Sequence, residues 1–261
     1  ALIAIAGADF SATVNGEPVP NLHPVWVNRN DVLQFHKPVQ GARAYLAVAG
    51  GFGLKKWLGS FSTNLKAGAG GFQGRNLQKG DEILFRQSFP ATPGKAEFKI
   101  LPWAADMDWG DKYKELLVLP GNEWDHLSEK SKKDFTEKPF RITQQSDRMG
   151  YRLNNNPMNG AVTDELISSA VSFGTIQLLP DGSLIVLMAD HQTTGGYPRI
   201  AHVISVHHSK LAQAGAGQEI QFRFTDQATA EKLYIQQQRH LQQLQNACTF
   251  RLEQYFNEHR Y

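Results

Sequence analysis

Short apolar runs broken by glycine, asparagine and aspartate dominate the first hundred positions. LIAIAG (2–7), ATVNG (12–16), WVNRNDVLQF (26–35), AYLAVAGGF (44–52) and DEILF (81–85) each carry the alternating or continuously apolar pattern of a strand. Asn15-Gly16 predicts a hairpin turn, because both residues tolerate positive φ. Residues 53–80 break the pattern: glycines at 68, 70, 71, 74 and 80 crowd a stretch that reads as a long loop. After Phe98 strands resume in FKILPW and ELLVLPG. A helical spacing follows at Trp124, Leu127 and Phe135 within 122–137, and FRITQQSDRMGYRL leads into the turn-rich NNNPMNG. Pro180-Asp181-Gly182 sits between two apolar runs and predicts a second hairpin. RIAHVISV and EIQFRF read as strands. Residues 226–260 form one long helical pattern with Ala230, Leu233, Tyr234, Leu241, Leu244, Cys248, Leu252 and Phe256 on one side. That seam reads as core-facing, with a docking surface as its alternative.

Three segments, NRNDVLQF, LQKGDEILF and AGAGQEIQF, repeat a tight turn followed by alternating β residues, which suggests two related β units. The expected organisation is a first β-barrel portion over 1–95, a second barrel over 96–225 and a C-terminal helix over 226–261. Composition excludes more than it identifies. With 261 residues, 41% hydrophobic, 20% charged and a net charge of +2, the chain is ordinary globular material. It has no basic cluster for nucleic acid and no apolar run of bilayer length. One cysteine, Cys248, precludes an intrachain disulfide and fits a reducing, cytoplasmic setting. The chain lacks an initiator Met, and ALIAIAGADF has no basic n-region, so a fragment or processed chain is expected.

Several chemistries lack their signatures. AGAGGFQGR has Gln73 where a dinucleotide fingerprint needs glycine, and no GxxxxGK[ST] occurs. Backbone amides beside Arg75 would still suit an anion, with a loop packed on itself as the plain reading. His191, His202, His207 and His208 lack metal-ligand spacing, and alternation along AHVISVHH places His202 and His208 on one face, opposite His207. There is no GxSxG, and Cys248 lies on the apolar side of its helix. SDRMGYRL brings Asp147, Arg148 and Arg152 within six residues. At least one arginine is expected to pair with Asp147 or with an acidic ligand. ADHQTTGGYP concentrates Asp190, Gln192, Thr193, Thr194 and Tyr197 around Gly195-Gly196, more donors and acceptors than a turn needs.

YLAVAGGF, GSFSTNLKAGAGGFQGR, LQKGDEI, QSDRMGYRL and DHQTTGGYPRIAHVI, in that order, resemble the KipA / allophanate hydrolase subunit 2 family. That family includes the C subunit of 5-oxoprolinase and the carboxyltransferase portion of urea carboxylase. The resemblance implies a mainly β fold of two cyclophilin-like β-barrels with a few helices, N-terminally truncated here relative to the family. It implies work with a KipI-like B subunit together with the A subunit of 5-oxoprolinase, cleaving 5-oxoproline to glutamate with ATP. The alternatives are a biotin-dependent carboxyltransferase acting on urea or allophanate-type amides, and a non-enzymatic regulator of a kinase inhibitor. GNEWDHLSEK follows the family pattern only loosely, so nothing is carried over there. By matching motif positions, Asp190 and Arg148 become the candidate catalytic groups. Ser62, Thr63, Arg75, Arg152, Gln192, Thr193, Thr194, Gly195, Gly196 and Tyr197 become the candidate substrate-binding groups, with no metal.

Overall fold

The computed structural model describes residues 1–87, 97–107, 115–154, 157–158 and 166–258. The chain forms two compact units. The first comprises 1–40 and 44–105, and the second 41–43 and 106–261. The boundary expected between 95 and 96, and most of the turn-rich NNNPMNG over 154–160, lie outside the described residues.

In the first unit, β1 (Leu2–Asp9), β2 (Pro24–Trp26), β3 (Gln40–Val48) and β4 (Lys99–Ile100) form a four-stranded sheet in the order β3-β1-β2-β4. The β1–β2 pair is antiparallel with Ile3 opposite Val25, and the sheet buries Ile3, Ile5 and Val25 with Val14 and Val19. Asn15 and Gly16 both adopt positive φ, closing the predicted hairpin between Thr13–Val14 and Glu17–Pro18. Several expected strands are shorter than their patterns, FKILPW among them, which pairs only over Lys99–Ile100. WVNRNDVLQF splits into Pro24–Trp26 and Leu33–Gln34, with Asn30 at positive φ between them. DEILF makes only an isolated bridge, Phe52 with Phe85. Its first residue, Asp81, is tied down by Arg75 and by the Gln78 amide, so the segment opens as a loop anchor rather than as a ladder.

The second unit is a closed barrel. Its strands are β5 (Glu115–Pro120), β6 (Phe140–Ile142), β7 (Gly150–Asn154), β8 (Thr175–Leu178), β9 (Leu184–Leu187), β10 (Arg199–Val203) and β11 (Glu219–Phe224). They close in the order β5-β10-β8-β9-β7-β6-β11, every pair antiparallel except β5–β11. Alternation sends Phe140 and Ile142, Tyr151 and Leu153, Ile220 and Phe222 inward. The Pro180-Asp181-Gly182 hairpin joins β8 to β9 as predicted, with Gly182 at φ +81°. Helix α1 (Glu129–Glu137) starts later than its apolar spacing implies. Ser128 caps it by accepting from the Ser131 amide, and Trp124 belongs to a preceding 3-10 turn. The helix closes the barrel core with Phe135, which stacks on Phe222 at a centroid distance of 4.9 Å and meets Trp124 edge-on at 5.3 Å.

RIAHVISV is not one strand: β10 ends at Val203, and Ser205–His207 and α2 (His208–Gln213) follow. The two-face arrangement expected of the histidines therefore does not form. His207 is buried, and its Nδ1 accepts from the Leu117 amide at 2.8 Å, which leaves the proton on Nε2. His202 Nδ1 meets the Thr175 hydroxyl at 3.2 Å, and His208 stacks on Phe173. Among the described residues no group of three or more potential ligands could hold a metal ion. Burial pushes the His207 imidazole down to about 4, and burial also holds His202 and His208 below their ordinary value. The unfolded chain therefore binds protons the folded one refuses. Stability is full above the ordinary imidazole pKa of 6.5 and is lost as pH falls toward 4. Urea unfolding should show about 2 kcal/mol of stability lost from His207 between pH 7 and pH 5. His207→Gln, which can still accept from Leu117, should show a correspondingly flatter profile.

Helix α3 (Gln227–Glu258) covers the long pattern expected at the end of the chain. None of its residues is buried, so its apolar side is not a core seam among the described residues. Near its start Gln237 donates to the Val206 carbonyl at 3.4 Å. No helix is long and apolar enough to cross a membrane.

Candidate functional site

The expected site residues fall in both units. In the first, Ser62 and Thr63 lie beside the glycine loop, where Thr63–Asn64 pairs with Ala69–Gly70. The glycines there make room for the loop's own backbone. A Cβ on Gly71 would sit 2.0 Å from Thr63 Oγ1, and one on Gly74 would sit 2.0 Å from the Gly68 carbonyl. Arg75 makes a two-pronged ion pair with Asp81, 2.7 Å on each arm, and also donates to the Asn76 carbonyl and the Gln73 side chain. The Arg75 hydrogen bonds, with the Gln78 amide, push the Asp81 carboxyl down to about 2. These residues staple a loop, and they do not fit a cradle for the phosphates of ATP.

The second unit gathers the rest. The β7–β9 register sets Gly150 opposite Leu187, so SDRM and ADHQ continue side by side beyond the strands. The Asp190 amide donates to the Arg148 carbonyl at 2.8 Å. Arg148 grips the Asp190 carboxylate with Nε at 2.7 Å and a terminal nitrogen at 3.1 Å. The two candidate catalytic groups are thus each other's partners. Asp147 instead accepts from the Met149 and Gly150 amides and shapes its own turn. Beyond Asp190, Thr194–Gly195 pairs with Ser169–Ala170, and the Thr193 carbonyl accepts from the Val171 amide. Thr193 and Thr194 are exposed, and Gly196 passes close to the Leu166 carbonyl. The exposed Arg148–Asp190 pair contributes about 0–1 kcal/mol to stability, so Arg148→Ala should fold normally. Loosening this anchor should still misplace residues 190–197 and lower turnover by about 100-fold. A thermal melt and steady-state rates on one preparation separate the two effects.

A cavity of about 350 Å³ lies on the face of β7, β9 and β8 away from the barrel core, where Arg152, Ile185 and Gln177 are neighbours, and it is lined also by Leu179, Pro180, Asp181, Gln192 and Tyr197. Three of these are expected from motif positions: Arg152, Gln192 and Tyr197. Among the described residues the Arg152 guanidinium makes no ion pair or hydrogen bond, unlike Arg75 and Arg148, although its backbone is held by Ser146. A guanidinium with no protein partner over a concave, partly apolar wall has the chemistry to receive a carboxylate or phosphate. Asp181 shares the cavity. Its Oδ1 accepts from the Ser183 hydroxyl and amide, and these bonds, aided by the Arg152 charge, hold its carboxyl below the usual range.

Gln177 and Asp181 are cavity residues that the sequence alone does not single out. The hairpin motif locates Asp181 but marks it only as a turn residue. The only signal for Gln177 is a carboxamide in a short strand beside Thr175, Ile176 and Leu178. A third group, Glu123, comes from the segment that follows the family pattern only loosely. It binds Arg199 through two side-chain contacts and the backbone amide, 2.8 to 3.2 Å. Burial would raise the Glu123 carboxyl, but the Arg199 hydrogen bonds outweigh it and lower it.

Residues 1–224 match the family model described as carboxyltransferase domain, subdomain A and B. The chain is 35% identical to the 5-oxoprolinase C subunit of Escherichia coli, over 92% of this chain and 75% of that protein. It is 33% identical to the Haemophilus influenzae 5-oxoprolinase C subunit, over 92% of this chain and 74% of that protein. The solved K. lactis urea amidolyase superposes over 93% of this chain with a TM-score of 0.83 at 26% identity, although the match spans only 16% of that much longer chain. A mainly β chain with a seven-stranded barrel and this extent of similarity belongs to the carboxyltransferase domain, subdomain A and B, family, alongside proteins named as the C subunit of 5-oxoprolinase.

Proposed function

We propose that the chain is the C-type subunit of a multi-subunit, ATP-dependent 5-oxoprolinase, binding 5-oxoproline for cleavage to glutamate. The observation that carries this reading is the Arg152 guanidinium at the barrel cavity, unpaired among the described residues, in a chain 35% identical to a 5-oxoprolinase C subunit. 5-Oxoproline presents a carboxylate for an arginine and a lactam amide for a carboxamide, and the cavity offers both partners. Ser62, Thr63 and Arg75 belong to the proposed substrate contacts only if Arg75 exchanges Asp81 for ligand. Asp190, Arg148, Thr193, Thr194 and Gly196 frame the proposed site from its turn. We assign ATP, and its activation of the lactam, to the A-type and KipI-like B-type partners, and we place the complex in the cytoplasm.

A second reading, a biotin-dependent carboxyltransferase acting on urea, draws support from the likeness to urea amidolyase. Urea carries no carboxylate to meet Arg152, which favours the first. Co-purification of the chain with its B-type partner, addition of the A-type partner, and measurement of 5-oxoproline-dependent ATP hydrolysis tests the proposal. Turnover with 5-oxoproline and not urea is expected. Turnover with urea supports the carboxyltransferase, and turnover with neither supports a regulatory role.

A further inference from the structure

Gln177 is buried, 1% exposed, on a strand whose other residues are Thr175, Ile176 and Leu178. A buried carboxamide left without partners is costly, so its surroundings define what it is for. The β8–β10 pairing breaks register between Ile176 and Gln177: Ile176 lies opposite Ala201, and Gln177 lies opposite Arg199. The extra residue, Ile200, lies on β10, while Gln177 alternates regularly with Ile176 and Leu178 and lies opposite Ile185 on β9. Gln177 points into the cavity wall, where its Nε2 donates to the Tyr197 carbonyl at 3.3 Å.

That single bond fixes which end of the amide faces the cavity. A carbonyl oxygen only accepts, so the group facing Tyr197 must be the NH2. Oε1 is then the other end of a carboxamide that lines the cavity, and among the described residues nothing donates to it. Gly195 keeps the carboxamide in place by lacking a side chain: a Cβ there would lie 2.6 Å from Gln177 Nε2 and 3.5 Å from Gln192 Nε2. Gly195 is not at positive φ, so its role here is space rather than backbone conformation.

Building on the 5-oxoprolinase reading, we propose that Gln177 is the specificity-determining residue of this cavity, accepting the N–H of a lactam whose carboxylate is held by Arg152. The pair selects a ligand by two features at once, an anion and a neutral N–H donor. The same ring with oxygen in place of N–H brings a lone pair against Oε1 and is rejected. A site built to hydrogen-bond a ligand N–H discriminates strongly against an analogue that lacks it, because its own buried acceptor is left unpaired.

The test is calorimetric titration of the full chain, co-purified with its partners, with 5-oxoproline and with its lactone isostere, 5-oxotetrahydrofuran-2-carboxylate. The wild type should bind the lactam at least about 30-fold more tightly than the lactone. Gln177→Met keeps the volume and removes the acceptor, and should cut that ratio to about threefold or less. Gly195→Ala reaches the same atom without touching the core. Its methyl crowds the far end of the Gln177 side chain and makes only ordinary contact with that of Gln192, so the fold survives and the Gln177 carboxamide is displaced, with the same loss of discrimination. Equal binding of lactam and lactone by the wild type overturns the role of Gln177 while leaving the substrate assignment standing. Undiminished discrimination in a folded Gly195→Ala protein overturns it as well. Binding of neither compound to the wild type overturns both the role and the substrate assignment.

Discussion

Arg152→Ala should weaken 5-oxoproline by about 10- to 100-fold while the protein melts at an unchanged temperature. The estimate follows from the loss of a charge-assisted hydrogen bond worth about 1.5–3 kcal/mol. Among the described residues the guanidinium has no hydrogen-bonded or ion-paired partner to abandon, and Asp181, which feels its charge, keeps its Ser183 hydrogen bonds. Its backbone contacts to Ser146 do not depend on the side chain. The loss should therefore appear in the KM for 5-oxoproline and not in stability. Arg152→Lys should recover only part of it, since an ammonium supplies the charge without the planar two-pronged fork. Steady-state rates of the assembled complex across a 5-oxoproline series distinguish these outcomes. An unchanged KM in Arg152→Ala would remove the arginine from the substrate.

The second large effect is structural. Phe135→Ala should destabilise the second unit by about 3–5 kcal/mol. Phe135 is fully buried and touches the rings of Phe222, Trp124, Phe140 and Phe224, so it joins α1 to the barrel core. Its removal deletes the transfer energy of an aromatic ring and leaves a cavity walled by rigid rings that cannot collapse onto it. Chemical denaturation followed by the fluorescence of Trp124 reports the loss. A destabilisation under about 1 kcal/mol would mean that α1 is peripheral to the barrel.

The residues also explain what is legible in the sequence. Local chemistry fixes the Asn15-Gly16 and Pro180-Asp181-Gly182 hairpins, because their turn residues determine backbone geometry by themselves. The span of α3 follows from spacing alone, whereas the absence of buried residues along it depends on tertiary surroundings that spacing does not record. Strand ends depart from the pattern where a side chain claims the backbone's partners, as Asp81 does at DEILF. RIAHVISV departs for another reason: apolar alternation cannot tell a strand from the 3-10 turn that buries His207. In the site, glycine and donor-rich turns mark residues 190–197 plainly. The Arg148–Asp190 pairing spans 42 positions and exists only because of the β7–β9 register. Arg75 and Arg152 look alike in sequence, yet one is held by Asp81 and the other is not. Gln177 is marked only as a carboxamide within a buried strand, and its place in the cavity wall comes from the tertiary fold.

Under the proposed function, Arg152 in the cavity holds the carboxylate of 5-oxoproline. The most direct measurement compares 5-oxoproline-dependent ATP hydrolysis by the assembled complex carrying wild-type or Arg152→Ala chain, at limiting and at saturating substrate. The Arg152→Ala complex should show a rate reduced by about 10-fold or more at limiting 5-oxoproline and largely restored at saturation. Equal rates for the two complexes at limiting substrate would contradict it.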